Sequence, residues 1–242
     1  MKVLVGLPVS HHKKECLQQC VDGLNALTYE NKKILFMDNS KDDDYKKKIE
    51  SLGFEVQKGP YAKMPVQRIS KSRNKLIDYA LENNYDYIFF LDHDVVPPTN
   101  AIEQFISRDK KALCGIYFNT VTNPQKQKII IPGVYKVIPD TKDEEGLPSM
   151  RLISQEEVFS EELIKVVSCG GGCLFLHKDI IKKVRFNEEL KQCEDRDFCI
   201  TLFKKNISLY CDSKNLCKHF IKNRAYVWDQ GKLKKNLKTQ EP

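Results

Sequence analysis

The chain has 242 residues, 41% of them apolar, and carries 40 Lys and Arg against 33 Asp and Glu for a formal net charge of +7. That composition can bury the core of one α/β-sized domain; no stretch approaches the length of a transmembrane helix, and the apolar Val3–Leu7 segment behind Met1-Lys2 is too short for a signal-peptide core. Nine cysteines, an odd number without C-x-x-C spacing, speak against a disulfide framework or a zinc ribbon and for reduced thiols in a cytosol.

Val3 to Leu7 reads as the first strand, and from about Lys13 a helix follows with Leu17, Cys20, Val21, Leu24 and Leu27 at helical spacing. Lys33 to Met37 is the second strand, closed by the turn residues Asp38-Asn39-Ser40. A lysine- and aspartate-rich helix over 42–51 leads past Gly53 to a short strand at Phe54-Glu55-Val56. A helix over 67–83, with Ile69, Leu76, Ile77, Ala80 and Leu81 on one face, delivers the chain to the apolar run Tyr87–Leu91. Strand and helix thus alternate four times, which predicts an α/β fold with a Rossmann-like, mainly parallel sheet flanked by helices and joined by right-handed crossovers.

Asp92-His93-Asp94 follows that run directly, with Pro97-Pro98 just beyond. If the extended backbone continues, residues two apart point to one side, so Asp92 and Asp94 share a face and His93 points away as a structural residue. Paired carboxylates suit Mg²⁺ or Mn²⁺, and open α/β sheets bind ligands beyond the carboxyl ends of their strands. A turn cap is the competing explanation.

Beyond Asn100 the texture changes. A helix over 100–107 and a strand from Ala112 to Phe118 precede Ile129–Val137, where Pro132-Gly133 predicts a hairpin at the sheet edge. Asp140 to Pro148 is acidic and reads as a mobile loop. Gly170-Gly171-Gly172 is apolar on both flanks, which predicts either a close approach to the backbone or a packing bulge. The last helix is expected from near Glu194, with Phe198, Cys199, Leu202 and Phe203 facing inward, and Ile207 to Cys211 supplies a final strand. Much of the positive charge lies late, where Lys214, Lys218, Lys222, Arg224, Lys232, Lys234, Lys235 and Lys238 face only Asp212, Asp229 and Glu241. Such a segment is either a solvated extension or a contact for anionic membrane.

Taken in order, Pro8 after the first strand, Asp38-Asn39-Ser40, Ser72-Arg73-Asn74, Asp92-His93-Asp94, the glycine triple, Phe186-Asn187-Glu188, Glu194-Asp195 and the late His219 resemble the family 2 glycosyltransferases of the GT-A fold. The resemblance implies one domain over 1–220, with a nucleotide-binding half over 1–98 and an acceptor-binding half over 99–220, followed by a basic tail over 221–242. It implies that Asp38 holds the nucleotide base with Pro8 and Val9 lining the same pocket, although Asp38 also fits an ordinary Asx turn. Asp92 would lie toward ribose and metal, Asp94 on the metal, and His219 on metal or phosphate; a surface histidine is the alternative for His219. Arg73 would pair with phosphate oxygens or with Asp92, unless it faces solvent, and Gly171 would line the donor site.

Asp195 would take the acceptor proton with Glu194 orienting the acceptor, although acidic residues also suit a helix N-terminus through its dipole. Where many relatives carry a Trp, Lys191-Gln192-Cys193 precedes Glu194. The expected protein is therefore a cytoplasmic, Mn²⁺- or Mg²⁺-dependent, inverting glycosyltransferase, with peripheral membrane contact through its tail. Its donor would be a UDP- or GDP-linked sugar and its acceptor a glycan, a lipid-linked substrate or a protein. A sugar-phosphate nucleotidyltransferase would need a Gly-rich cationic loop where Pro8-Val9-Ser10-His11-His12 stands, and a polyanion-binding module would rest on the tail alone. Nothing matches a nucleic-acid recognition element.

Overall fold

The computed structural model describes residues 1–142, 146–221 and 224–226. β1 (Val3–Val9), all seven residues buried, runs into a 3₁₀ segment at His11–Cys16 and α1 (Leu17–Asn25). β2 (Lys32–Asp38), α2 (Asp44–Glu50) and β3 (Glu55–Lys58) follow, and α3 (Pro65–Glu82) starts with proline at its first turn, where the ring costs no hydrogen bond. β4 (Tyr87–Leu91) is again buried throughout. β1 pairs in parallel with β2 and β4, and β2 with β3, so continuous apolar runs form the centre of the sheet as expected for strands covered on both faces.

The second half departs from simple alternation. After β5 (Val95–Val96), α4 (Ala101–Ser107) and β6 (Ala112–Ile116), the chain forms β7 (Asn119–Thr122), β8 (Lys128–Ile131), β9 (Val134–Lys142) and β10 (Pro148–Leu152). β8 pairs with β7 whereas β9 pairs with β10, so Pro132-Gly133 separates two small sheets and is not the turn of a hairpin. Of the expected acidic loop, 140–142 belong to β9, and 143–145 lie outside the described residues. α5 (Gln155–Val158) opens with a capping box between Ser154 and Glu157. β11 (Leu163–Val166), β12 (Ser168–Cys169), β13 (Cys173–His177), α6 (Lys178–Ile181) and α7 (Glu194–Lys204) come next. The expected last strand is β14 (Leu209–Leu216), five residues further along at its end, and β15 (Lys218–Ile221) and β16 (Arg224–Tyr226) follow it.

The main sheet has the order β11-β14-β6-β13-β4-β1-β2-β3. It is mainly parallel, with β13 inserted antiparallel between β4 and β6, and β11 antiparallel on β14 at the edge. Alternate side chains of one strand feed two cores: Ile88 and Phe90 meet Leu76, Ile77 and Ala80 of α3 and Phe198 of α7, while Phe89 and Leu91 meet Leu24 of α1 and Phe105 of α4. Among the described residues no helix is long and apolar enough to cross a membrane, and all nine cysteines are unpaired. Of the basic tail, 222–223 and 227–242 lie outside the described residues.

Candidate active site

Three registers bring the chemistry together. Cys173 stands opposite Leu91, and the Asp92 N–H donates to the Gly172 carbonyl at 3.0 Å, which sets the glycine triple beside Asp92. His219 stands opposite Val95 and the Phe220 N–H donates to the Asp94 carbonyl at 2.8 Å, which sets His219 beside Asp94. Val9 stands opposite Asp38 and its carbonyl accepts from Asn39 at 2.9 Å, closing the floor of a cleft beyond β1 and β2. The parallel strands β1, β2 and β4 meet here at their carboxyl ends, where an open α/β sheet leaves a crevice.

The Asp92-His93-Asp94 backbone does not stay extended. β4 ends at Leu91, and the Val95 N–H bonds back to the Asp92 carbonyl at 3.0 Å, closing a turn. The two carboxylates therefore take different partners. Asp92 Oδ1 accepts from Arg73 Nη2 at 2.9 Å, and Arg73 Nη1 reaches Glu194 Oε1 at 3.4 Å. Asp94, only 4% exposed, accepts on Oδ2 from Lys13 Nζ and meets His219 Nε2 there at 3.2 Å, while its buried Oδ1 has no partner among the described residues. Burial raises the Asp94 carboxyl, but the His219 hydrogen bond and the Lys13 charge outweigh it and hold it at about 2. His219, buried rather than on the surface, donates from Nδ1 to the Phe118 carbonyl at 2.7 Å, which leaves Nε2 toward Asp94. His93 turns to Tyr45, whose hydroxyl lies 2.8 Å from its Nε2, and burial lowers its pKa to about 4, so it is neutral.

Arg73 is the centre of the site, 1% exposed and enclosed on every side. Its guanidinium sits 5.1 Å from the Phe186 ring, and that ring stacks on Phe198 of α7 at 4.3 Å. Asn74, next in α3, donates to the Phe186 carbonyl at 2.9 Å and to Glu188 at 2.8 Å, so the Phe186-Asn187-Glu188 segment is tied to α3 directly. The glycine triple owes its composition to Arg73 and the side chains around it. A Cβ on Gly171 would lie 2.5 Å from Arg73 Nη1, one on Gly172 2.8 Å from Asp92 Oδ2, and one on Gly170 2.1 Å from the Tyr117 hydroxyl. What approaches this backbone is the protein's own guanidinium and phenol, so Gly171 serves the site as a cradle for Arg73. Tyr117, which sequence reading passed over, accepts from the Gly172 N–H at 3.0 Å.

Glu194 and Asp195 open α7 behind Cys193, which adopts a left-handed conformation at φ 58°. Burial raises the Glu194 carboxyl in spite of Arg73. Asp195 is half-buried, and its Oδ1 accepts from the Arg196 N–H at 2.7 Å. Asp38 takes the Asx-turn option: buried, it accepts from the Ser40 N–H at 3.0 Å and from Lys58 Nζ at 3.0 Å. A cleft of about 350 Å³ opens beside it, lined by Pro8, Val9, Lys13, Asn39, Arg68 and Asp92 among others. Arg68, Asn39 and Lys13 had no signal in the sequence beyond residue type, since polar residues on a short loop or a helix flank are common.

Among the described residues no group of three or more His, Cys, Asp or Glu side chains is arranged to hold a metal ion. Of the expected trio, Asp94 and His219 converge, while Asp92 pairs with Arg73. That pair, with the unpartnered Asp94 Oδ1, suits a hard divalent ion that takes its other ligands from phosphate and water.

The model of the family described as "Glycosyl transferase family 2" matches residues 8–185. No curated protein matches the chain. Among solved structures, the chain is similar to A197 from STIV, at 19% identity and a TM-score of 0.52 over 93% of this chain and 88% of that one. It is similar also to S. aureus TarS 1-349, at 14% identity and a TM-score of 0.55, and to the same fragment in complex with UDP-GlcNAc, at 14% and 0.54. In both TarS cases 93% of this chain is covered, but only 59% and 57% of the fragment.

Proposed function

The chain belongs to glycosyl transferase family 2, and on that footing we propose that it is a metal-dependent glycosyltransferase that moves a sugar from a nucleotide diphosphate donor to an acceptor hydroxyl with inversion. One observation carries the reading: Asp94 meets His219, and Arg73 bridges Asp92 and Glu194, at the carboxyl end of the central strands beside a cleft large enough for a nucleotide. TarS has been crystallised with UDP and with UDP-GlcNAc, which favours a UDP-linked over a GDP-linked donor here.

In this reading Pro8, Val9 and Asn39 border the base and Asp38 shapes their loop through Ser40. Asp94 and His219 would hold Mn²⁺ or Mg²⁺, an ion that when bound neutralises charge on a departing diphosphate. Arg73 holds Asp92 toward the donor and Glu194 toward the acceptor. Asp195 takes the proton from the acceptor hydroxyl of a glycan, a lipid-linked substrate or a protein, and attack from the face opposite the leaving group inverts the anomeric carbon. Nine unpaired cysteines favour a reducing compartment, the cytoplasm, and the basic C-terminal segment supports peripheral contact with anionic membrane.

A thermal-shift screen of UDP- and GDP-linked sugars with Mn²⁺ tests the donor, because a ligand bound only by the folded state raises the transition. One nucleotide class should raise it, EDTA should abolish the shift, and Asp94→Asn should lose it while remaining folded. No response to any nucleotide sugar would sink the donor assignment; full turnover in chelator would sink the metal.

A further inference from the structure

Lys13 stands where a metal-site carboxylate finds its cation. Its Nζ donates to Asp94 Oδ2, the oxygen that His219 Nε2 meets at 3.2 Å. The two partners are unlike: the Asp94 side chain is 5% exposed, whereas the Lys13 side chain is 51% exposed and also lines the cleft. Lys13 sits at the kink of the 3₁₀ segment, with non-helical φ −119° and ψ 26°, so a long side chain with many rotatable bonds reaches inward from an exposed position. A carboxylate can accept about four hydrogen bonds, yet Asp94 uses one oxygen only and leaves Oδ1 buried and unpartnered. Around it, Asp92 is neutralised by Arg73, which is buried and cannot move away, so among the described residues Lys13 is the displaceable cation on Asp94.

We propose that Lys13 is a tethered counter-cation that holds Asp94 in the nucleotide-free protein, and that it swings into the cleft onto the donor diphosphate as a divalent metal takes its place. This rests on the metal-dependent reading above and adds an order to it. An ammonium and a divalent ion held on the same carboxylate repel each other strongly, whether they share Oδ2, where His219 Nε2 converges, or take one oxygen each. Metal binding therefore requires Lys13 to leave, and a diphosphate gives the ammonium a new anionic partner in the cleft it already lines. The nucleotide and the metal thus bind cooperatively, and Lys13 acts as a positioning residue through Asp94. When the competent state is a minor one, the apparent affinity falls by its population, a penalty that removing the competitor lifts.

Mn²⁺ binding, counted by electron paramagnetic resonance of the free ion, tests this without turnover. Wild type, Lys13→Met, Lys13→Arg and Lys14→Met are titrated with Mn²⁺ alone and then with saturating UDP or GDP. Lys14 is an exposed neighbour and serves as the control for general charge removal. Lys13→Met should bind Mn²⁺ about tenfold or more tightly than wild type without nucleotide, and the gain that nucleotide confers on wild type should shrink in this variant. Lys14→Met should match wild type, and Lys13→Arg should keep weak nucleotide-free binding. If Lys13→Met and wild type bind Mn²⁺ alike while nucleotide still strengthens both, the tether is overturned and the metal reading stands. If neither binds Mn²⁺ with any nucleotide, both fall together.

Discussion

The Arg73 guanidinium donates to Asp92 Oδ1 at 2.9 Å with 2% of its side chain exposed, so the carboxylate that opens the Asp-His-Asp turn is held by a buried cation from α3. The same guanidinium faces Glu194 at the start of α7, which makes one side chain the joint between the β4 end and α7.

Removing that joint leaves Asp92 and Glu194 without their shared counter-charge. Arg73→Met should therefore destabilise the fold by about 3 kcal/mol, read as a lower urea midpoint at unchanged slope. Pairing it with Asp92→Asn should recover part of the loss, because the double variant removes the stranded charge as well. Additive losses would mean that the two residues do not act as a pair.

Gly171→Ala places a methyl 2.5 Å from Arg73 Nη1, in a space the guanidinium already fills. Overpacking of this kind costs about 1–3 kcal/mol. The variant should melt earlier and lose turnover together, and adding Arg73→Met should make the alanine nearly neutral for stability.

With Asp195 as the proposed base, Asp195→Asn should separate chemistry from binding. Loss of a general base removes about 10²–10⁴-fold in rate, with donor affinity by calorimetry unchanged. Product anomers analysed by NMR should be inverted relative to the donor. Near wild-type turnover in this variant would move the role to Glu194 or Asp197.

Glu157 makes part of the stability depend on acid. Burial raises its carboxyl, but Lys136, the Ser154 N–H and Arg151 outweigh it and hold it at about 2, against an ordinary 4.5. A depressed carboxylate contributes fully above its unfolded value and loses that contribution as pH falls through 4.5 toward 2. Glu157→Gln should cost about 1–2 kcal/mol near neutral pH, after allowance for partial exposure, and the gap from wild type should narrow as the pH drops through that window. A gap that is constant with pH would assign the loss to geometry rather than charge.

Local pattern carried the first half of the fold. The buried runs of β1, β2 and β4 and the amphipathic face of α3 follow from side-chain period alone, so alternation and a mainly parallel sheet were legible in the residues, as was the order of motifs that marks the family. The second half was less so, because Pro132-Gly133 looks the same whether it turns one hairpin or divides two small sheets, and pairing partners are chosen by long-range contacts. The period-two rule also misled at Asp92 and Asp94, since it holds only while the backbone stays extended and a single bond from Val95 to Asp92 closes a turn there.

Residue identity determined which groups are available: two carboxylates at a strand end, an arginine before them, a glycine triple, an acidic pair and a late histidine. Only the tertiary structure decided who meets whom. Arg73 and Glu194 are 121 residues apart, Asp94 and His219 125, and Lys13 and Asp94 81. A charge pair leaves no period in the sequence, and any of the chain's 40 cationic side chains is chemically able to answer Asp94. Lys13 does so because β1 and β4 pair in parallel and so bring the segments that follow them, with Lys13 and Asp94, to the same carboxyl end of the sheet, where burial makes an unpaired carboxylate costly.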